Sequence, residues 1–198
     1  MPDEFELDVL YPAVHALVST WQAVGQPGAI IGAVAVSLRS QPRSTTDVDA
    51  IIVEEKGRAA ELAGQAREFG LELRSPDSLE LAKRTRVLGL VHVDSGVRVD
   101  VWLGMFPFEI RAVERARPIV IRGKEVAVSV PEDLIVLKAF AGRLHDLADI
   151  ETILTACPEL DREDVERSLR RLAQDLESPE VWESVRDLPA WKGGAPPK

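Results

Sequence analysis

The sequence predicts a β-sheet covered by helices, α/β or α+β in class, followed by an all-helical C-terminal part. Three observations carry this reading. Apolar runs of strand length alternate with helix-period segments through the first half. Two further apolar runs flank the turn signal Asp94-Ser95-Gly96. From Pro131 onward the pattern is helical.

Taken in order, Leu7, Leu10, Val14, Leu17, Val18 and Trp21 recur at helical spacing and predict an amphipathic helix over about residues 6–24, ending before the turn Gly25 to Gly28. The apolar run before Gly32 reads as a strand leading into a helix from about Val34 to Arg39, which Pro42 breaks. A second strand is expected from Asp47 to Glu54. A helix follows through "GRAAELAGQAREFG", closed by Gly70. The runs either side of Asp94-Ser95-Gly96 form a β-hairpin, and "RGKEVAVSV" is a further strand or extended segment. Pro131 starts a helix as a first-turn proline does, with Glu132 and Asp133 at its positive end. Three more helices are expected in "LHDLADIETILTA", in "DREDVERSLRRLAQDL" and near Trp182, before a flexible tail "WKGGAPPK".

The 198 residues suffice for one sizeable core with an appended subdomain. With 45% hydrophobic and 29% charged residues the balance is that of a folded soluble protein. No apolar window reaches membrane-spanning length and the acidic N-terminus lacks the form of a signal peptide, so the expected location is the cytoplasm, with no membrane partner. Cys157 is the single cysteine, which excludes an intrachain disulfide and a cysteine-based zinc cluster; it reads as a small helix residue. A net charge of -9 argues against a broad, sequence-independent nucleic-acid binder. Arg111, Arg115, Arg117, Arg122 and Lys124 crowd one segment and Lys83, Arg84 and Arg86 another. Each cluster reads first as solvated surface and second as a local basic site.

The chemistry-bearing feature is "PRSTTDVDAIIV". Asp47 and Asp49 lie two apart at a strand start, so their carboxylates share a face while Val48 points to the core. Asp is depleted in strands, and a carboxylate entering a sheet needs a compensating partner. In the hairpin's second arm Arg98, Asp100 and Trp102 share one face, opposite Val97, Val99, Val101 and Leu103. Asp100 is therefore the best third carboxylate for an oxygen-rich site suited to Mg²⁺. Gly32, between a strand and a helix, stands where backbone N–H groups can approach phosphate oxygens. His15, His92 and His145 show no metal-ligand spacing and read as structural or exposed.

The stretch "IIGAVAVSLRSQPRSTTDVDAIIV" resembles the signature of nucleotidyltransferases of the DNA polymerase beta superfamily, most closely its AbiEii/AbiGii-type branch, which includes toxins. Gly32, Ala35, Pro42, Arg43, Thr45, Asp47 and Asp49 match the pattern. "VRVDVW" supplies the third-aspartate strand, and "SVPEDLIVLKAFAGRLHDLADI" resembles the helix after the core, with Lys138, Arg143, Asp146 and Asp149. The resemblance spans roughly residues 30–153. One departure stands out. The second glycine of the pattern, a serine in many active members, is Ala33 here, which keeps a backbone N–H but brings a methyl and no hydroxyl.

The resemblance implies an α+β nucleotidyltransferase-type mixed sheet flanked by helices, with a core over residues 1–128 and a C-terminal helical subdomain over 129–198 packed on it. It implies Mg²⁺ or Mn²⁺ held by Asp47, Asp49 and Asp100, with Asp100 also assisting the attacking group. An NTP would lie along Gly32, Ala33, Arg43, Thr45 and Lys138. For Lys138 a phosphate contact and a salt bridge stand equal, and Arg43 is a phosphate contact or a clamp on its loop. Asp146 and Asp149 either support the ligands from behind or are exposed helix carboxylates. The expected activity is metal-dependent transfer of a nucleotide from an NTP to an acceptor: RNA such as tRNA, a protein side chain, or a small hydroxylated molecule such as an aminoglycoside. The toxin members raise a cognate antitoxin as a partner. The competing reading is a non-catalytic protein of the same fold that binds a nucleotide or a partner.

Overall fold

A computed structural model describes residues 8–53 and 57–193. The expected first-helix residues before 8, the strand residue Glu54 and the tail from residue 194 lie outside the described residues.

The first helix, α1 (Tyr11–Ala23), starts with Pro12 in its first turn and buries Val14, Leu17, Val18 and Trp21. Strand β1 (Gly28–Ile31) is wholly buried and runs directly into α2 (Gly32–Arg39). Strand β2 (Asp47–Val53) follows, then α3 (Ala59–Glu68), which closes at Gly70 with φ +79°. The short strand β3 (Leu71–Leu73), helix α4 (Ser78–Thr85) and the hairpin β4 (Val87–His92) and β5 (Arg98–Gly104) complete one side of the sheet. Helix α5 (Pro107–Glu114) leads to a second hairpin, β6 (Arg117–Ile121) and β7 (Lys124–Val128). Its two turn residues, Arg122 and Gly123, both have positive φ, as a tight hairpin turn matching strand twist requires. The remaining helices are α6 (Pro131–Ala141), α7 (Leu144–Ala156), α8 (Arg162–Asp175), α9 (Glu180–Arg186) and α10 (Pro189–Lys192).

Seven described strands form one sheet in the order β3-β4-β5-β2-β1-β7-β6. The pairs β2–β5 and β1–β7 are parallel and the rest antiparallel, so the sheet is mixed as expected. Along β2 and β5 burial alternates, with Val48 and Ala50, and Val99 and Val101, sealed in the core. The intervening Asp47, Asp49, Asp100 and Trp102 face the other side and are half-buried. Helices α2 and α7 pack together and α6 contacts α2, which brings the C-terminal helices alongside the β1–α2 junction. No helix of the described residues is long and apolar enough to cross a membrane.

The basic clusters are solvated surface only in part: Lys83, Arg84, Arg117 and Arg122 are exposed, whereas Arg86, Arg111, Arg115 and Lys124 are half-buried against partners within the protein. Arg111 and Arg115 turn inward onto Asp133 and Asp164, with Arg111 Nε 3.0 Å from Asp133 Oδ1 and Arg115 Nη1 2.6 Å from Asp164 Oδ2, and so join α5 to α6 and α8. Arg122 pairs with Asp8, and Lys124 donates to Ser19 Oγ and the His15 carbonyl. Arg86 forms a two-point ion pair with Glu109, whose side chain is fully buried and also accepts from the Met105 and Phe106 N–H groups. Glu109 thereby satisfies the open N-terminus of α5. Cys157 sits at the end of α7 rather than within it, and its thiol donates to the Arg39 carbonyl.

Candidate active site

The site is assembled by strand register. Asp49 lies directly beside Asp100 across the parallel pair β2–β5, and Asp47 beside Arg98. On the other flank Asp49 is opposite Ile31, the residue before Gly32. Gly32 has φ +63°, and a β-carbon on it would stand 2.1 Å from Asp49 Oδ2. The carboxylate therefore fills the space that glycine leaves, against the first turn of α2, where Gly32 and Ala33 carry N–H groups without intrahelical acceptors.

Each aspartate has a different environment. Asp47 Oδ1 accepts from Thr45 Oγ1 at 2.9 Å, and its Oδ2 is 3.9 Å from Arg98. Asp100 Oδ1 is 2.7 Å from Arg74 Nη1. This contact is an ion pair by distance without the alignment of a hydrogen bond. Among the described residues Asp49 has neither kind of help at close range. Burial, then the charges of Asp47 and Asp100, push its carboxyl up to about 6, with Lys138 and Arg143 partly offsetting them.

Behind Asp49 lies an ionic network. Lys138 Nζ is 2.8 Å from Asp146 Oδ1 and 2.7 Å from Asp149 Oδ2. Asp146 also accepts from Arg143 Nε, and although burial opposes ionisation, its bonds to Arg143 and Lys138 hold its carboxyl below the usual range. Arg43 grips Asp149 through Nη2 and Nε at 3.0 and 2.8 Å, while its backbone N–H donates to Ser37 Oγ. Arg43 thus pins the loop before β2 to α7, and Asp146 and Asp149 are buried rather than exposed. A narrow cleft of about 30 Å³ opens among Gly32, Asp49, Trp102, Lys138, Arg143 and Asp146.

All eight residues expected from the sequence lie around this junction. Trp102 and Arg74 carry no role in the sequence reading. Trp102 has a visible signal, two residues past Asp100 on the same strand face, whereas Arg74 reaches the site only through the fold. The three aspartates do not close into a ready ligand set. Among the described residues no group of three such side chains stands close enough to hold a metal ion. Their chemistry nevertheless fits a hard divalent cation: three carboxylates share one face, and burial, then the charges of the other two, raise the carboxyl of the middle one.

A family model described as "Nucleotidyl transferase of unknown function (DUF2204)" matches residues 12–187. The chain belongs to that nucleotidyl transferase family. Among solved structures, this nucleotidyl transferase family member is similar to the antibiotic-resistance factor ANT(2'')-Ia, at 17% identity and a TM-score of 0.58 over 86% of this chain and 96% of that one. It is likewise similar to ANT(2'')-Ia in complex with adenylyl-2''-tobramycin, at 16% identity and a TM-score of 0.55 over 84% and 97%. A nucleotidyltransferase-like protein from Paracoccidioides brasiliensis matches at 19% identity and a TM-score of 0.48 over 90% and 93%. At these identities the likeness to ANT(2'')-Ia is one of fold. No curated protein matches the chain.

Proposed function

We propose that this protein transfers a nucleotidyl group from an NTP to an acceptor hydroxyl or amine, the acceptor atom bonding to the α-phosphorus as the α–β anhydride bond breaks and pyrophosphate leaves, with Mg²⁺ or Mn²⁺ held by Asp47, Asp49 and Asp100. The observation that carries the reading is the row Gly32, Asp49, Asp100, which sets a charge-starved carboxylate between a helix start and a second carboxylate in register. A bound divalent cation supplies phosphate charge neutralisation and activation of the attacking group. Gly32 and Ala33 offer backbone N–H groups to phosphate oxygens. Thr45 orients Asp47. Asp100, the register neighbour of Asp49, receives the acceptor's proton. Lys138 works through Asp146 and Asp149 rather than on the nucleotide, and Arg43 is the loop clamp. Arg143, whose side chain is 60% exposed at the cleft, is the better phosphate contact.

Of the acceptor classes, a small hydroxylated molecule fits better than RNA, because Arg111, Arg115 and Lys124 are occupied by partners within the protein. A toxin role with a cognate antitoxin rests on the resemblance to the AbiEii/AbiGii-type branch alone. The non-catalytic reading rests on Ala33, which brings no hydroxyl to the phosphates. Incubation with each labelled NTP, Mg²⁺ or Mn²⁺, and in turn aminoglycosides, tRNA and cell lysate sorts these. Label is expected in the small-molecule fraction. Asp49→Asn and Asp100→Asn should each lower turnover about a thousandfold or more, since each removes a charge that holds the cation. Equal transfer by wild type and both variants would refute the site. NTP binding without any product would leave the non-catalytic reading.

A further inference from the structure

Arg74, just past β3, and Gly89, Asp100 and Asp49 on the three neighbouring strands β4, β5 and β2 form a row. The Arg74 N–H donates to the Gly89 carbonyl, Gly89 is the β4 partner of Asp100, and Asp100 is the β5 partner of Asp49. Neighbouring strands lie roughly 4.8 Å apart, so Arg74 must cross a whole strand to reach Asp100. It does so over Gly89. A β-carbon there would stand 2.6 Å from Arg74 Nη2 and 2.9 Å from Cζ. The missing side chain is the channel through which the guanidinium passes.

The other positive groups near the triad act elsewhere: Arg98 is 3.9 Å from Asp47, and Lys138 and Arg143 bear on Asp49. Asp100 receives its close positive charge from Arg74, at 2.7 Å, and among the described residues its Oδ2 accepts no protein hydrogen bond.

We propose that Arg74 is a counter-cation for Asp100, holding the third carboxylate in the metal-free protein and giving it up when a divalent cation binds. This rests on the functional reading above. Arg74 is then a positioning residue, which makes the metal-free site tolerable at the expense of metal affinity. A cation entering among the three aspartates must compete with a guanidinium already paired to one of them.

The test uses Mn²⁺ alone, followed by the electron paramagnetic resonance signal of free Mn²⁺, together with thermal melts with and without Mn²⁺. Arg74→Met removes the charge. Gly89→Ala keeps it but places a methyl where the guanidinium lies, and the clash is with the far end of a flexible side chain. Both variants should bind Mn²⁺ more tightly than wild type, by about three- to tenfold, the size expected for one charge at the edge of solvent. Both should melt lower without Mn²⁺ and close to wild type at saturating Mn²⁺. Arg74→Lys should fall between. If wild type binds Mn²⁺ and the variants bind it equally or more weakly, or melt lower by the same amount in both states, the counter-cation role is overturned while the metal site stands. If wild type binds no Mn²⁺, the metal site and the counter-cation role fall together.

Discussion

Lys138 and Asp146 form an ion pair with only 8% and 0% of their side chains exposed, so water screens neither charge. Asp149, on the other side of the same ammonium, is 5% exposed. Removing the cation leaves Asp146 to Arg143 and Asp149 to Arg43, two buried carboxylates that have each lost a buried positive partner, and breaking a buried pair from one side is costly. Lys138→Met should lower stability by about 3–5 kcal/mol in urea unfolding. A Lys138 whose work is only to touch phosphate would leave the unfolding midpoint unchanged.

At Gly32 two penalties coincide. Positive φ costs a residue with a side chain roughly 1–2 kcal/mol, and the added methyl would meet the Asp49 carboxylate. Gly32→Ala should lower the melting temperature and, because Asp49 must move, abolish metal-stimulated transfer. A variant that melts lower yet transfers label normally would show that Asp49 need not occupy that space.

The carboxyl of Asp49 sets a pH dependence of unusual sign. Its folded value, about 6, lies above the unfolded value, so between about 4 and 6 the folded state binds more protons than the unfolded one. Stability from this group is present at the lower end of that window and is lost as pH rises through 6. Two units correspond to at most roughly 3 kcal/mol. In chelator, the wild-type melting temperature should fall from pH 4.5 to 7.5 relative to Asp49→Asn, whose profile lacks the step. Parallel profiles would contradict the shift, and Mn²⁺ should erase the difference by supplying the missing charge.

Why the aspartates were legible in the sequence and Arg74 was not comes down to range. Asp47 and Asp49 are read by strand alternation, and Asp100 by the same rule within its hairpin. Their meeting needs only the usual adjacency of strands in one sheet. Arg74 follows a three-residue strand, β3, too short to leave a pattern, and its link to Asp100 runs through the side chain that Gly89 lacks. Helix α4 buries only Ser78 and Ala82, so its period is nearly silent, and β6 is a mostly exposed edge strand carrying Pro118. Burial of Asp146 and Asp149 was equally hidden, because carboxylates on a helix read as solvated until Lys138 and Arg43 close on them.

The inward pairing of Arg111 and Arg115 also governs how an acceptor arrives. With those guanidinium groups committed to Asp133 and Asp164, the stretch from Arg111 to Lys124 adds little attractive field for an anion, and the net charge of -9 is felt from a distance. The bimolecular association rate then carries the sign of the acceptor. A cationic acceptor is drawn in and slows as ionic strength rises, whereas a polyanionic one is repelled and quickens with the same added salt.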